Sequence, residues 1–120
     1  MNLRKVFIAA VLALTAGSSA AAAEADDTEI QVDDGLKRFG YLAGLARGCV
    51  ADHQRTGFER EALDLHNAIG RLLGTDRAFL FAAAFGHGTS VTLETDECKE
   101  VLSRYEARVE NFRLERGVGQ

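Results

Sequence analysis

The chain has 120 residues, 14 Lys and Arg against 18 Asp and Glu, a formal net charge of −4, and neither proline nor tryptophan. The acidic balance argues against a nucleic-acid partner, which would need clustered Lys and Arg, and against adhesion to an anionic membrane surface. The absence of proline turns the reading away from an all-β domain, and the absence of tryptophan removes the commonest large anchor of a binding surface.

Residues 1–23 carry the pattern of a cleaved signal peptide. Arg4 and Lys5 form a basic head, Val6 to Ala16 an uncharged apolar run, and Gly17 to Ala23 a small-residue exit before Glu24. The apolar run is about half of what a bilayer crossing requires, and no later run approaches 18 apolar residues. No cysteine follows the leader for lipid attachment, and Arg4-Lys5 is not a twin-arginine pair. The expected product is therefore a non-lipidated protein with no membrane span, periplasmic or secreted by the general route. Losing the two positive charges of the leader takes the formal charge from −4 to −6. Outside the cytosol, thiols oxidise.

Residues 24–33 are acidic and poor in apolar side chains, which predicts a flexible N-terminal segment. A single helical domain is expected over 34–116, followed by a frayed tail over 117–120. The first helix is predicted from Asp34 to about Ala51, with Asp33 or Asp34 capping it. Leu36, Phe39, Leu42 or Ala43, Ala46 and Cys49 or Val50 form its apolar stripe. The second is predicted over Gly57 to Leu73. Thr56 and Glu59 are spaced as a capping box, Ala62, Leu65, Ile69 and Leu72 or Leu73 are its inner face, and Gly74 is its stop.

The third helix is predicted from Thr75 or Asp76 to about Gly86. Its centre, Ala78 to Phe85, is apolar on every side, so it is either enclosed or exposes a patch for a partner. Gly86 to Ser90 reads as a loop by composition. The fourth helix is predicted from Thr95 or Asp96 to about Arg113, with Cys98, Val101 or Leu102, Tyr105, Val109 and Phe112 along one face. Glu100 and Arg104 are spaced to support each other. The remaining charges of this helix read as a solvated face.

Cys49 closes the first predicted helix and Cys98 opens the fourth. In an up-down bundle those two ends lie side by side, so a disulfide is expected. Closing a loop of about 50 residues removes roughly 4 kcal/mol of unfolded-state entropy in the chain-entropy model. The competing reading is a zinc site built from Cys49, His53, Cys98 and another histidine, since Cys49 and His53 are four apart.

Gly40, Gly44 and Gly48 repeat every four residues. Glycine costs up to about 1 kcal/mol in a helix interior, so the row needs a purpose. Close packing against another helix is one, with Ala82, Ala83 and Ala84 as the complementary surface. A homodimer seam or a ligand channel is the other. His87, with Ser90 nearby, and His66 are the remaining residues that could serve a small enzyme, but no nucleophile elbow or phosphate cradle surrounds them.

The layout resembles a group of small secreted helical proteins of alphaproteobacteria with two cysteines. The matching elements are Leu42-Ala43-Gly44-Leu45-Ala46-Arg47-Gly48-Cys49, Ala83-Ala84-Phe85-Gly86-His87-Gly88, and Cys98. The resemblance implies the fold and the disulfide but no activity. In cysteine separation alone the chain is also similar to the periplasmic acid-stress chaperones of the HdeA type, without their tryptophan and proline positions.

These readings converge on an all-α, small four-helix bundle with one inter-helix disulfide, Cys49–Cys98. The expected function is non-catalytic: a periplasmic binding or interaction protein that takes a protein or a small apolar ligand, with no cofactor and no metal. The candidate interaction surface is Tyr41, Gly40, Gly44, Gly48, Phe79, Phe81 and Phe85. A periplasmic acid-stress chaperone, loosened when its carboxylates are protonated, is the alternative. A metal-binding protein or small enzyme using histidines is the further alternative.

Overall fold

A computed structural model describes residues 28–117. The expected leader, residues 24–27 and residues 118–120 lie outside the described residues. Two compact units are distinguished, Met1–Val32 and Asp33–Gln120. Of the first only residues 28–32 are described, and they are helical; the packing described below is that of the second.

The described residues form four α-helices and no strand. Helix α1 covers residues 28–47. A 3-10 turn, Asp52–Gln54, leads into α2, Arg55–Leu73. Helix α3 is Thr75–Thr89 and α4 is Thr95–Arg116. The ends that meet fix the directions. Arg47 at the end of α1 reaches Glu59 near the start of α2. Asp33 of α1 pairs with Arg77 at the start of α3. Cys49 lies against Cys98, whereas Phe39 lies against Phe112. The helices therefore run up, down, up, down, with α1 and α4 antiparallel as expected.

The apolar spacing places most of the core as predicted; the exception at the end of α2 is Leu72, which is 46% exposed, with Leu73 only half-buried. Leu36, Phe39, Ala43 and Ala46 of α1, Ala62, Leu65 and Ile69 of α2, and Val101, Tyr105, Val109 and Phe112 of α4 are buried. Phe39 sits at the centre. Its ring meets Phe81 edge-on at 5.2 Å, Phe112 at 5.8 Å and Tyr105 at 6.4 Å. Each fully buried ring of this size stabilises the fold by about 1.5–3 kcal/mol. Tyr105 also stacks on Phe58 at 5.0 Å and donates a long hydrogen bond, 3.5 Å, to Glu61 Oε1.

Glycine allows α1 and α3 to touch at backbone distance. A Cβ on Gly40 would fall on the Phe81 carbonyl oxygen. One on Gly44 would strike the Phe85 carbonyl oxygen and lie 2.8 Å from Gly88 Cα. One on Gly88 would strike the Tyr41 carbonyl oxygen and lie 3.0 Å from Gly44 Cα. The row is an internal packing surface, and its complement is Phe81, Phe85 and Gly88 rather than the three alanines. Gly48 stands outside this contact and is exposed.

Several boundaries differ from the sequence reading. Residues 28–33 are helical, so α1 does not wait for Asp34. A shortage of apolar residues denies a segment a buried face, not a helix, and Arg77 Nε holds Asp33 Oδ1 at 3.0 Å. Helix α1 ends at Arg47, not near Ala51: Gly48 and Cys49 turn off it, their N–H groups on the Leu45 and Ala46 carbonyls. The Thr56–Glu59 capping box does not form. The 3-10 turn runs straight into α2, so Thr56 is already inside the helix, and Glu59 bonds Arg47 instead. Gly86 to Thr89 are the last turn of α3, not a loop, because the contact with α1 needs Gly88 there. Glu100 and Arg104 make no ion pair. Gly74 stops α2 as expected, with φ of 100° and its N–H on the Gly70 carbonyl; that left-handed conformation favours glycine.

Candidate functional site

The seven residues expected to form one surface fall in different places. Gly40, Gly44 and Phe81 are buried between α1 and α3, so they are not a surface at all: Phe81 is only 2% exposed. Gly48 is exposed at the end of α1. Phe79 and Phe85 lie along α3 where it packs on α2. Tyr41 opens on the other side of α1, toward α4, with its ring 5.5 Å from that of His87.

Among the concave features of the described residues, two take up most of these side chains. The first is a groove between α2 and α3, made of adjoining hollows of about 270 and 600 Å³ that share His66 and Ala82. It arises because α3 is apolar all round. Turning Phe81 into the core leaves Phe79 on the outside, 68% exposed, and Leu63 of α2 is 58% exposed in the same groove. His66, half-buried at the junction, has a buried Nδ1 with no hydrogen-bond partner. That is a polar group still owed a bond. Glu59 lines the groove near the start of α2, with Oε1 held by Arg47 Nε at 2.8 Å; Arg71 lines it near the other end.

The second feature is a cleft of about 390 Å³ between α1 and α4. Leu42, Leu45, Phe39 and Tyr41 give it an apolar wall, and Arg38, Arg104 and Arg108 line the rest. Arg108 is stacked over the Phe39 ring, 4.6 Å from its centroid.

The sequence signals for catalysis or metal binding do not come together. Cys49 and Cys98 are joined at 2.14 Å, so neither sulfur is available as the thiolate of the alternative zinc site. His53 lies in the 3-10 turn and His66 in α2, while His87 is in α3. Among the described residues no three His, Cys, Asp or Glu side chains are placed to hold a metal ion. Ser90 Oγ donates to the His87 carbonyl oxygen at 2.6 Å, which closes the end of α3 rather than pairing a nucleophile with a base.

Tyr105 is the one titratable group that departs clearly from its ordinary behaviour. Burial raises its phenol far above the usual range, and the charge of Glu61 adds to the effect. It is a hydroxyl in the core and lines neither concave feature. No helix among the described residues is long and apolar enough to cross a membrane. The α2–α3 groove had a partial signal in sequence, the all-round apolar run of α3. The α1–α4 cleft had none, because its arginines come from opposite ends of the chain. Comparison with family models, with characterised proteins and with solved structures gives no match to this chain.

Proposed function

We propose that this protein is an exported, non-catalytic interaction module whose contact face is the α2–α3 groove, and that the occupant is the same face of a second copy. The observation that carries this is the exposed row Glu59, Leu63, Asn67, Arg71 along α2. It has an acid at one end and a base at the other, roughly 18 Å apart at the helical rise. A two-fold axis across the groove sets each Arg71 toward the Glu59 of the other copy, whose Oε1 is held by its own Arg47 and whose Oε2 is left to accept, and lays Phe79 and Leu63 against each other's apolar floor. The Cys49–Cys98 bond supports export, because structural disulfides persist in oxidising compartments.

Analytical ultracentrifugation tests this. The wild type is expected to sediment as a dimer at tens of micromolar, and Leu63→Asp or Phe79→Asp to give folded monomers with unchanged circular dichroism. A strictly monomeric wild type overturns self-association. If that monomer binds a solvatochromic dye and Phe79→Asp abolishes the binding, the occupant is a small apolar molecule instead.

A second reading, the acid-stress chaperone, has one observation in its favour. The ion pairs Asp33–Arg77 and Glu59–Arg47 tie α1 to α3 and to α2, and acid that protonates the carboxylates breaks both ties. Unchanged circular dichroism and no protection of a client protein near pH 3 would end it.

A further inference from the structure

The α1–α4 cleft shares no lining residue with the α2–α3 groove, and its chemistry is different. Three guanidinium groups border it in a chain whose net charge is negative. None has a carboxylate partner among the described residues. Arg38 and Arg104 make no ion pair, and Arg108 makes only its stack on Phe39. Of the acids one helical turn away, Asp34 faces Lys37 at 3.9 Å, and Glu100 makes no ion pair with Arg104. By contrast, Arg47, Arg55 and Arg77 each hold an aspartate or glutamate.

The arrangement is unfavourable without a ligand. Arg104 and Arg108 are four residues apart on one helix, a spacing at which like charges repel. Arg38 adds a third positive charge from across the cleft. Arg108 Cζ lies 4.6 Å from the Phe39 ring centroid, and its guanidinium N–H donors have no acceptor among the described residues, which leaves them open to a ligand. A guanidinium fork matches the paired oxygens of a carboxylate or phosphate. Leu42, Leu45 and Tyr41 line the cleft beside the charges.

We infer that the α1–α4 cleft is a binding site for a small organic oxyanion, a phosphate or carboxylate carried on an apolar body, held by Arg38, Arg104 and Arg108. The head group lies among the guanidinium groups and the body against Leu42, Leu45 and Tyr41. The same chemistry is offered by a free metabolite or by an anionic lipid.

The test is calorimetric titration of the untagged, disulfide-bonded protein with phenyl phosphate, inorganic phosphate and phenol. Vesicles of phosphatidylglycerol and of phosphatidylcholine make a parallel arm. Phenyl phosphate is expected to saturate one site and to bind more tightly than either of its halves. Arg38→Gln and Arg104→Gln, both on exposed side chains, are expected to weaken it about tenfold each while melting as the wild type does. Arg108→Lys, which keeps the charge but loses the fork, is expected to weaken it as well. Binding to phosphatidylglycerol but not phosphatidylcholine vesicles, lost in the same variants, assigns the head group to a lipid. The inference is overturned if no probe saturates, if phenol binds as well as phenyl phosphate, or if the arginine variants bind unchanged. A failure of self-association leaves this result untouched, since none of these residues lies in the groove.

Discussion

The two sides of α1 solve the same packing problem in opposite ways. Toward α3 the helix presents Gly40 and Gly44, and the backbones approach until no side chain fits between them. Toward α4 it presents Phe39 and Leu42, and large side chains hold the helices apart. The first contact leaves no room for a ligand. The second buries a ring cluster at its centre but leaves a 390 Å³ cleft beside it. Residue size on one helix thus decides which interface is a seal and which is a site.

The α4 side depends most on its staple. Replacing both Cys49 and Cys98 by serine is expected to cost about 4 kcal/mol by the chain-entropy model, measured by urea unfolding of the oxidised wild type against the double variant. A loss well under 1 kcal/mol would mean that ring packing alone holds α4 to α1.

On the α3 side the expected effect is smaller but more local. Gly44→Ala places a methyl group on the Phe85 carbonyl and must push the two backbones apart, at a cost of about 1–3 kcal/mol. Gly86, two residues from the Gly88 that completes the contact, meets nothing within 4 Å. Gly86→Ala is therefore expected to stabilise α3 by up to about 1 kcal/mol. Thermal melts of the two variants should move in opposite directions. A shared direction would dissolve the contrast between the faces.

The smallest effect at neutral pH, and the most specific, concerns Tyr105. Burial and then the Glu61 charge raise its folded-state pKa above the ordinary 10.0, so the native state keeps a proton that the unfolded chain releases. Its contribution is complete below about pH 10 and is lost as pH rises from there through the folded value. Denaturation midpoints of the wild type should fall from pH 9 to 11, and those of Tyr105→Phe should fall less. No free cysteine is present among the described residues to confuse this range by thiol exchange.

The sequence was most legible where a single helix face decides the outcome. The stripes through Phe39, Leu65 and Tyr105 are recoverable from 3.6-residue spacing alone, and the disulfide from the places of the two cysteines at helix ends that lie side by side. It was least legible where a local pattern competes with a tertiary contact. Thr56 and Glu59 have the spacing of a capping box, but Arg47 of another helix claims the carboxylate. Gly86-His87-Gly88 has the composition of a loop, yet Gly88 is small because α1 lies against it. The arginine cleft is harder still. Arg38 and Arg104 acquire a common meaning only once α1 and α4 run antiparallel, and on a linear reading the charges of α4 look like an ordinary wet surface.

The Cys49–Cys98 link also governs how the molecule responds to force. The bond encloses 49 residues of sequence separation, a ring that contains all of α2 and α3. Tension applied through the outer ends of α1 and α4 passes across the sulfurs and bypasses that ring. A tethered oxidised molecule should lengthen by roughly 170 Å less than a reduced one, at about 3.5 Å per residue withheld. The helices that carry the proposed contact groove would be the part of the chain that mechanical load never pulls straight.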